Sequence, residues 1–258
     1  MPDFKSRQPG FTLIELLVVI SIIALMVGIL LPALGSARRT AKTMKCLVNV
    51  RNMQVAHWTY MTDNDGYFIQ ANLSHSGIVH YNPDGTPIVP WLETLEDYYG
   101  SALLHRSPVD ESPHWGPAPD GQPITGAPIN QRRVTSYGIN NYLVDIGSGF
   151  NPNGTGPPYK RLIQVPNPSA NVHFLIMAYE GAYAGADHPH VESWGFFGAA
   201  GAPQLAAQQV QIDAHGGPPA AAESKSNWGF LDGHAVTAEF SEVYFDATEN
   251  NFDPEVAN

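Results

Sequence analysis

Asp187, His188, His190 and Glu192 fall within six residues in the stretch ADHPHVES, a density of imidazole and carboxylate that suits zinc or a similar divalent ion. His215, Asp232 and His234 lie further along the chain and would have to converge with them. Asp63-Asn64-Asp65-Gly66 has the alternation with which calcium loops begin. On the EF-hand template, however, its first ligand would be Met61 and its closing one Asn72, so it reads as a helix stop. The single cysteine, Cys46, stands among Lys42, Lys45 and Arg51, whose charges favour a thiolate. Its place between Met44 and Val48 on a helical stripe argues for packing instead. No His-Glu-x-x-His, Gly-x-Ser-x-Gly, Walker or dinucleotide-binding sequence occurs. Spacing alone therefore carries the metal reading, no cofactor is expected, and the chain is expected not to be an enzyme.

The acid with the least ordinary setting is Glu15. From Leu16 to Leu31 every residue except Ser21 and Gly28 is strongly apolar or Ala, and the apolar character extends from Phe11 to Leu34. As a helix those positions span roughly 36 Å, enough for a bilayer core. A carboxylate at the centre of such a helix costs about 2.5–3.5 kcal/mol, and less near the headgroups, where Glu15 falls. An ionisable residue there calls for a partner. Pro32 removes a backbone donor and crowds the preceding turn, so a kink is expected between Gly28 and Pro32.

The rest of the composition frames this element. Of the 258 residues, 43% are hydrophobic and 14% charged, with 22 Pro and 24 Gly, which describes a globular, loop-rich chain. One cysteine excludes an intrachain disulfide. Between Glu15 and Asp63 there is no acid, while Arg38, Arg39, Lys42, Lys45 and Arg51 cluster there. From Asp63 onward 22 acids face six basic residues. A basic rod is joined to an acidic body, and nucleic-acid binding by that body is not expected.

A short leader with Lys5, Arg7 and Gly10, then Phe11-Thr12-Leu13-Ile14-Glu15 at the head of the apolar run, resembles the class III signal of type IV prepilins and of the pseudopilins of type II secretion systems. The resemblance implies cleavage after Gly10 by a prepilin peptidase, N-methylation of Phe11, and a single-pass precursor in the inner membrane. It further implies assembly into a homo-oligomeric filament by a platform protein and an ATPase, with the head periplasmic or extracellular. On charge alone, four basic residues after the span and two before it favour the opposite orientation. A side-chain-free residue before the cut lets a protease approach the backbone closely. Glu15 facing the Phe11 ammonium of a neighbouring subunit would fix the register of packed helices, because a slipped subunit leaves a charge unmatched at low dielectric. The competing reading is a secreted metal-dependent enzyme or binding module with residues 1–37 as its signal peptide.

Ala37, Ala41, Met44, Leu47, Val48, Val55, Trp58 and Met61 continue a helical pattern, read as the stripe that packs on the body. One helix from Phe11 to about Asn64 would be roughly 80 Å long. The expected organisation is a leader (1–10), a transmembrane assembly helix (11–35), an amphipathic continuation (36–64) and a β-rich head (65–258). Stretches 134–144, 170–181 and 227–240 read as strands. In the last of them Asp232-Gly233 is expected as a two-residue type I′ turn, with Val236, Ala238 and Phe240 on one face. Residues 107–133 and 145–160 read as long surface loops. The fold expected is α+β, pilin-like, a long N-terminal helix packed on an antiparallel sheet. His215 with Asp232-Gly233, TSYGINNY and RSPVD also resemble a prepilin-like subgroup that ends in His-x9-Asp-Gly. Here sixteen residues replace the nine, and Ser107-Pro108 stands where that subgroup often has Cys-Pro.

Overall fold

The structure is a computed structural model, described here for residues 12–69, 71, 91–100, 105–115, 133–144 and 159–258. Gly10 and Phe11, the expected cleavage pair, lie outside the described residues. The chain divides into two units, residues 1–42 and 43–258.

The first unit is the opening part of α1 (Leu13–Asp63), which runs on through Pro32. Every described side chain from Thr12 to Lys42 is exposed. α1 is the one helix among the described residues long and apolar enough to cross a membrane.

In the second unit, four strands form one antiparallel sheet in sequence order: β1 (Tyr137–Ile139), β2 (Val172–Ile176), β3 (Lys225–Phe230) and β4 (Ala235–Glu239). All five residues of β2 are buried, because both faces of the sheet are covered. That explains why VHFLI shows no polar alternation. On one face, residues 46–56 of α1 and helix α2 (Trp91–Tyr99) meet Tyr137, Ile139, Phe174 and Ile176. On the other, Trp194, helix α3 (Gly198–Ala206), the short helix α4 (Phe240–Val243), β5 (Tyr244–Asp246) and Phe252 close over Val172, Leu175 and Trp228. β5 pairs with β6 (Glu249–Asn250) in a separate ribbon.

The expected strands are present but shorter. Residues 134–144 hold only β1, followed by a 3-10 turn over Asn141–Leu143. Within the four-stranded sheet, β3 and β4 are joined by a short turn. It spans residues 231–234 with Gly233 alone at positive φ, 102°, so the two-residue type I′ turn is corrected. Asp232 instead folds an Asx turn, its carboxylate accepting from the His234 backbone N–H at 3.1 Å. Val236, Ala238 and Phe240 do share one cluster.

The expected packing stripe of α1 is largely reversed. Cys46, Asn49, Val50, Met53, Gln54, Ala56, His57 and Met61 are buried, while Met44, Val48 and Val55 are each more than half exposed. Of the three polar residues on the buried face, Asn49 donates to the Tyr137 hydroxyl and Gln54 faces His173, both in the sheet, while His57 accepts from Ile69 N–H. Where α1 crosses β3, a side chain at Gly229 would come within 2.5 Å of Val50 Cγ1, so only glycine lets the helix lie this close.

α1 ends where the sequence places its stop. Gly66 N–H donates to Met61 O at 2.8 Å, with Asp65 at φ 53° and Gly66 at φ 78°, the 6→1 bond of a Schellman cap. The Arg161 guanidinium donates to Asp65 O and lies 4.6 Å from the centre of the Tyr67 ring.

Candidate functional site

The start of α1 is the chemically distinctive part of the rod. Thr12 and Glu15 form a reciprocal cap. Thr12 N–H and Oγ1–H each donate to Glu15 Oε2 at 2.8 Å, and Glu15 N–H donates to Thr12 Oγ1 at 3.2 Å. This capping box satisfies donors that the first helical turn leaves open, and it holds the carboxylate at the positive end of the helix dipole. Thr-x-x-Glu ahead of an apolar run is its sequence signature, and Thr12-Leu13-Ile14-Glu15 carries it. Glu15 therefore has a local partner within its own chain. Oε1 takes no part in the cap's hydrogen bonds. Pro32 lies inside the helix.

In the head, the residues singled out for metal chemistry separate into pairs. Asp187 Oδ1 and His188 Nδ1 are 2.8 Å apart. His190 Nδ1 and Glu192 Oε1 are 2.9 Å apart, and Asn141 Nδ2 donates to Glu192 Oε2 at 2.6 Å. Burial opposes the charge on Glu192, yet these hydrogen bonds hold its carboxyl below the usual range. Asp232 Oδ1 and His234 Nδ1 meet at 2.5 Å, with the imidazole stacked on Phe230. His215 sits beside Lys225 at the start of β3, whereas Asp232 lies just past its end, so a whole strand, about 20 Å, separates the two. Burial pushes the His215 imidazole down to about 4. Among the described residues no three His, Cys, Asp or Glu side chains gather as a metal site would require.

Cys46 is fully buried, its Sγ 3.6 Å from the Tyr137 hydroxyl and 3.4 Å from Ser107 Oγ. Desolvation raises its pKa despite hydrogen bonds from Ser107 and Tyr137, so it is a packed thiol, as its place on the helix suggests.

Two buried polar groups escaped the sequence reading. Arg133 is 1% exposed and its guanidinium is saturated. Nε donates to Asp110 Oδ2 at 2.6 Å, and the terminal nitrogens donate to the carbonyls of Ala178, Ala184 and Met177 at 2.6, 2.8 and 3.0 Å. Ser136 Oγ donates to the same Asp110 oxygen at 2.6 Å. The stretch expected as a surface loop thus contributes Ser107, Asp110, Ser112 and Arg133 to the interior, while residues 116–132 and 145–158 of the two expected loops lie outside the described residues. Between α1 and the sheet, His57 and His173 stack with ring centres 4.3 Å apart, both at 0% exposure. His57 Nε2 accepts from Ile69 N–H at 3.2 Å, and His173 Nδ1 is 3.2 Å from Gln54 Oε1. Burial holds His57 at about 3 and His173 well below its ordinary value, the latter also opposed by the charge of His57. Ring lone pairs lie in the ring plane, so stacked imidazoles cannot aim at one ion. These two serve as neutral packing groups.

In the head the Arg133–Asp110 network and the His–carboxylate pairs are local, hydrogen-bonded structure, and the distinctive chemistry of the chain lies at the start of α1. Residues 5–31 match the family model described as the prokaryotic N-terminal methylation motif. No curated protein and no solved structure matches the chain. The motif match and the long apolar helix support a type IV pilin-like precursor, anchored in the inner membrane and a substrate for prepilin peptidase.

Proposed function

We propose that this chain is a structural subunit, a pilin or pseudopilin, of a type IV pilus-like or type II secretion filament. The observation that carries the reading is the methylation-motif match over residues 5–31, continued by a helix that opens at Leu13 and stays apolar and uncovered for more than twenty residues. In this reading the peptidase cuts after Gly10 and Phe11 is methylated. The mature helix then leaves the bilayer into a bundle driven by apolar burial, with a platform protein and an ATPase moving the subunits and the head facing the periplasm or the exterior. The motif family is structural, which agrees with a head whose buried Arg133 is held by Asp110 and backbone carbonyls.

Glu15 is the registry residue. Its capping box with Thr12 fixes the carboxylate at the helix start, and Oε1 is left to meet the amine of a neighbouring Phe11. Pro32 is the place where the helix kinks or loosens on assembly. His215 and Asp232-Gly233 act as structural parts of the β3–β4 region and mark the His-x9-Asp-Gly-like subgroup. No metal or other cofactor is required.

The test is the mature N-terminus, read by intact mass and N-terminal peptide sequencing from native cells. A start at methylated Phe11 is expected. A start near Ser36 or Arg38 would make residues 1–37 a signal peptide and overturn the proposal. Glu15→Ala should be processed normally yet fail to assemble, as seen by filament imaging; normal filament yield would remove its registry role.

A further inference from the structure

Two surfaces of the head, on opposite faces of the sheet, each set an unpaired charge beside an uncovered apolar side chain. On the α1 face, Arg51, Val55, Trp58 and the β3–β4 turn from Asp232 to Ala235 line a groove of about 860 Å³. Trp58 is fixed there before any partner arrives, because its Nε1–H donates to Leu231 O at 2.8 Å. Val55 is 55% exposed. Arg51 is exposed and has no hydrogen bond or ion pair among the described residues, and Asp232 in the same groove is engaged by His234 at 2.5 Å. On the other face, β5 joins the cluster of Trp194, Phe240 and Phe252 through Tyr244 and leaves the next residue, Phe245, 53% exposed. The Asp246 carboxylate folds the ribbon turn by accepting from Thr248 N–H, Thr248 Oγ1–H and Glu249 N–H. The Glu249 carboxylate is exposed and unpaired among the described residues, and it borders the same surface hollow as Phe245.

We infer that the β5–β6 ribbon of one copy docks into the Arg51–Trp58 groove of the next, with Glu249 on Arg51 and Phe245 against Val55 and Trp58. The inference rests on the filament reading and names a head-to-head contact within it. Charge complementarity selects this partner. From Thr43 to Thr62 α1 carries Lys45 and Arg51 and no acid, whereas from Ser226 to Asn258 there are seven acids and no lysine or arginine. A surface of one sign attracts its opposite and rejects a second copy of itself. Uncovered aromatic and branched side chains beside the charges supply the apolar area that such a contact buries, and a ring already held in place costs little to order. Topology supplies the repeat. The two surfaces differ and cover opposite faces of one sheet, so each copy that offers its ribbon on one side still presents its groove on the other. A contact of this kind propagates from subunit to subunit instead of closing as a pair.

Arg51→Glu and Glu249→Arg, in the full chain in native cells, should each cut filament yield several-fold by imaging, and the two together should restore it. Both residues are exposed, so denaturant unfolding of the head should be unchanged in every variant. Thr59→Cys with Ala247→Cys reads the contact directly and leaves the docking side chains intact. The two positions are exposed, on elements that cover opposite faces of one head, and Cys46 is buried. Copper-phenanthroline oxidation should therefore give a ladder of linked subunits on non-reducing gels, which Arg51→Glu abolishes and added Glu249→Arg restores; either cysteine alone should stop at the dimer. Single reversals without effect, a double reversal no better than the singles, or filaments that form without the ladder overturn the docking and leave the filament reading standing. Absence of filaments from the unaltered chain together with a mature N-terminus other than Phe11 overturns both.

Discussion

The two parts of α1 obey opposite rules. Up to Lys42 the helix shows Leu, Ile, Val and Met on all sides and buries none of them. From Thr43 to Asp63 it buries one face, and that face mixes Val50, Met53, Ala56 and Met61 with Asn49, Gln54 and His57. The first part is specified by a medium, hydrocarbon or other helices, for which apolarity all round is sufficient. The second is specified by one particular sheet, whose polar atoms select polar partners on the helix. Core polarity of this kind carries stability only while each group keeps its partner.

The contrast can be broken first at the buried ion pair. Asp110→Ala strips the counter-charge from Arg133 and should lower the unfolding free energy of the head by about 3–5 kcal/mol, measured by denaturant unfolding of the full chain in detergent. A loss below about 1 kcal/mol would mean that the carbonyl bonds alone satisfy the guanidinium. Comparable in size but opposite in sign, Ser107→Cys should join Cys46 across a 61-residue separation and stabilise the head by up to about 4 kcal/mol under oxidising conditions. Reduction should abolish the gain, and a free thiol count of two after oxidation would refute the proximity.

A third effect separates the two parts by truncation. Met53→Ala should cost about 2–5 kcal/mol of head stability, whereas Ile20→Ala should leave the same transition unmoved, since its side chain has no partner in the isolated chain. A matching loss at Ile20 would show that the rod and the head unfold together.

The smallest and most gradual effect is with pH. His57, at about 3, and His173 titrate below the ordinary imidazole value when folded, so the unfolded chain binds more protons. Their stability is fully present above pH ~6.5 and is lost as pH falls toward 3, at about 1.4 kcal/mol per pH unit for each proton taken up. The titratable groups facing them are each other's rings, and Tyr60 is also in contact with His57. His57→Phe should flatten the slope by about one proton; an unchanged slope would assign it elsewhere.

How much of this is legible in sequence varies with the range of the interactions. The rod, its apolar extent, its stop at Asp65-Gly66 and the motif around Gly10 to Glu15 depend on neighbours within a few positions, so they can be read directly. The Thr12–Glu15 cap is equally local, and its signature stands in the same few residues. Helix α2 escapes such a reading because Trp91, Leu92 and Leu95 bury a short face only when the sheet is present. The strand segments can be found, but not their lengths, since pairing and not propensity ends them.

By itself, then, the sequence determined that a continuous helix with an uncovered apolar beginning leads into an acidic, loop-rich β head, because periodicity and charge are properties of the chain. Only the tertiary structure decided which face of that helix is buried. Met44, Val48 and Val55 are more apolar than Asn49, Gln54 and His57, and hydrophobicity alone chooses the wrong side. The sheet reverses the choice, because Gly229 admits the backbone at Val50 and Tyr137 and His173 hold the polar residues. These are contacts between positions more than eighty residues apart, beyond what local pattern can encode.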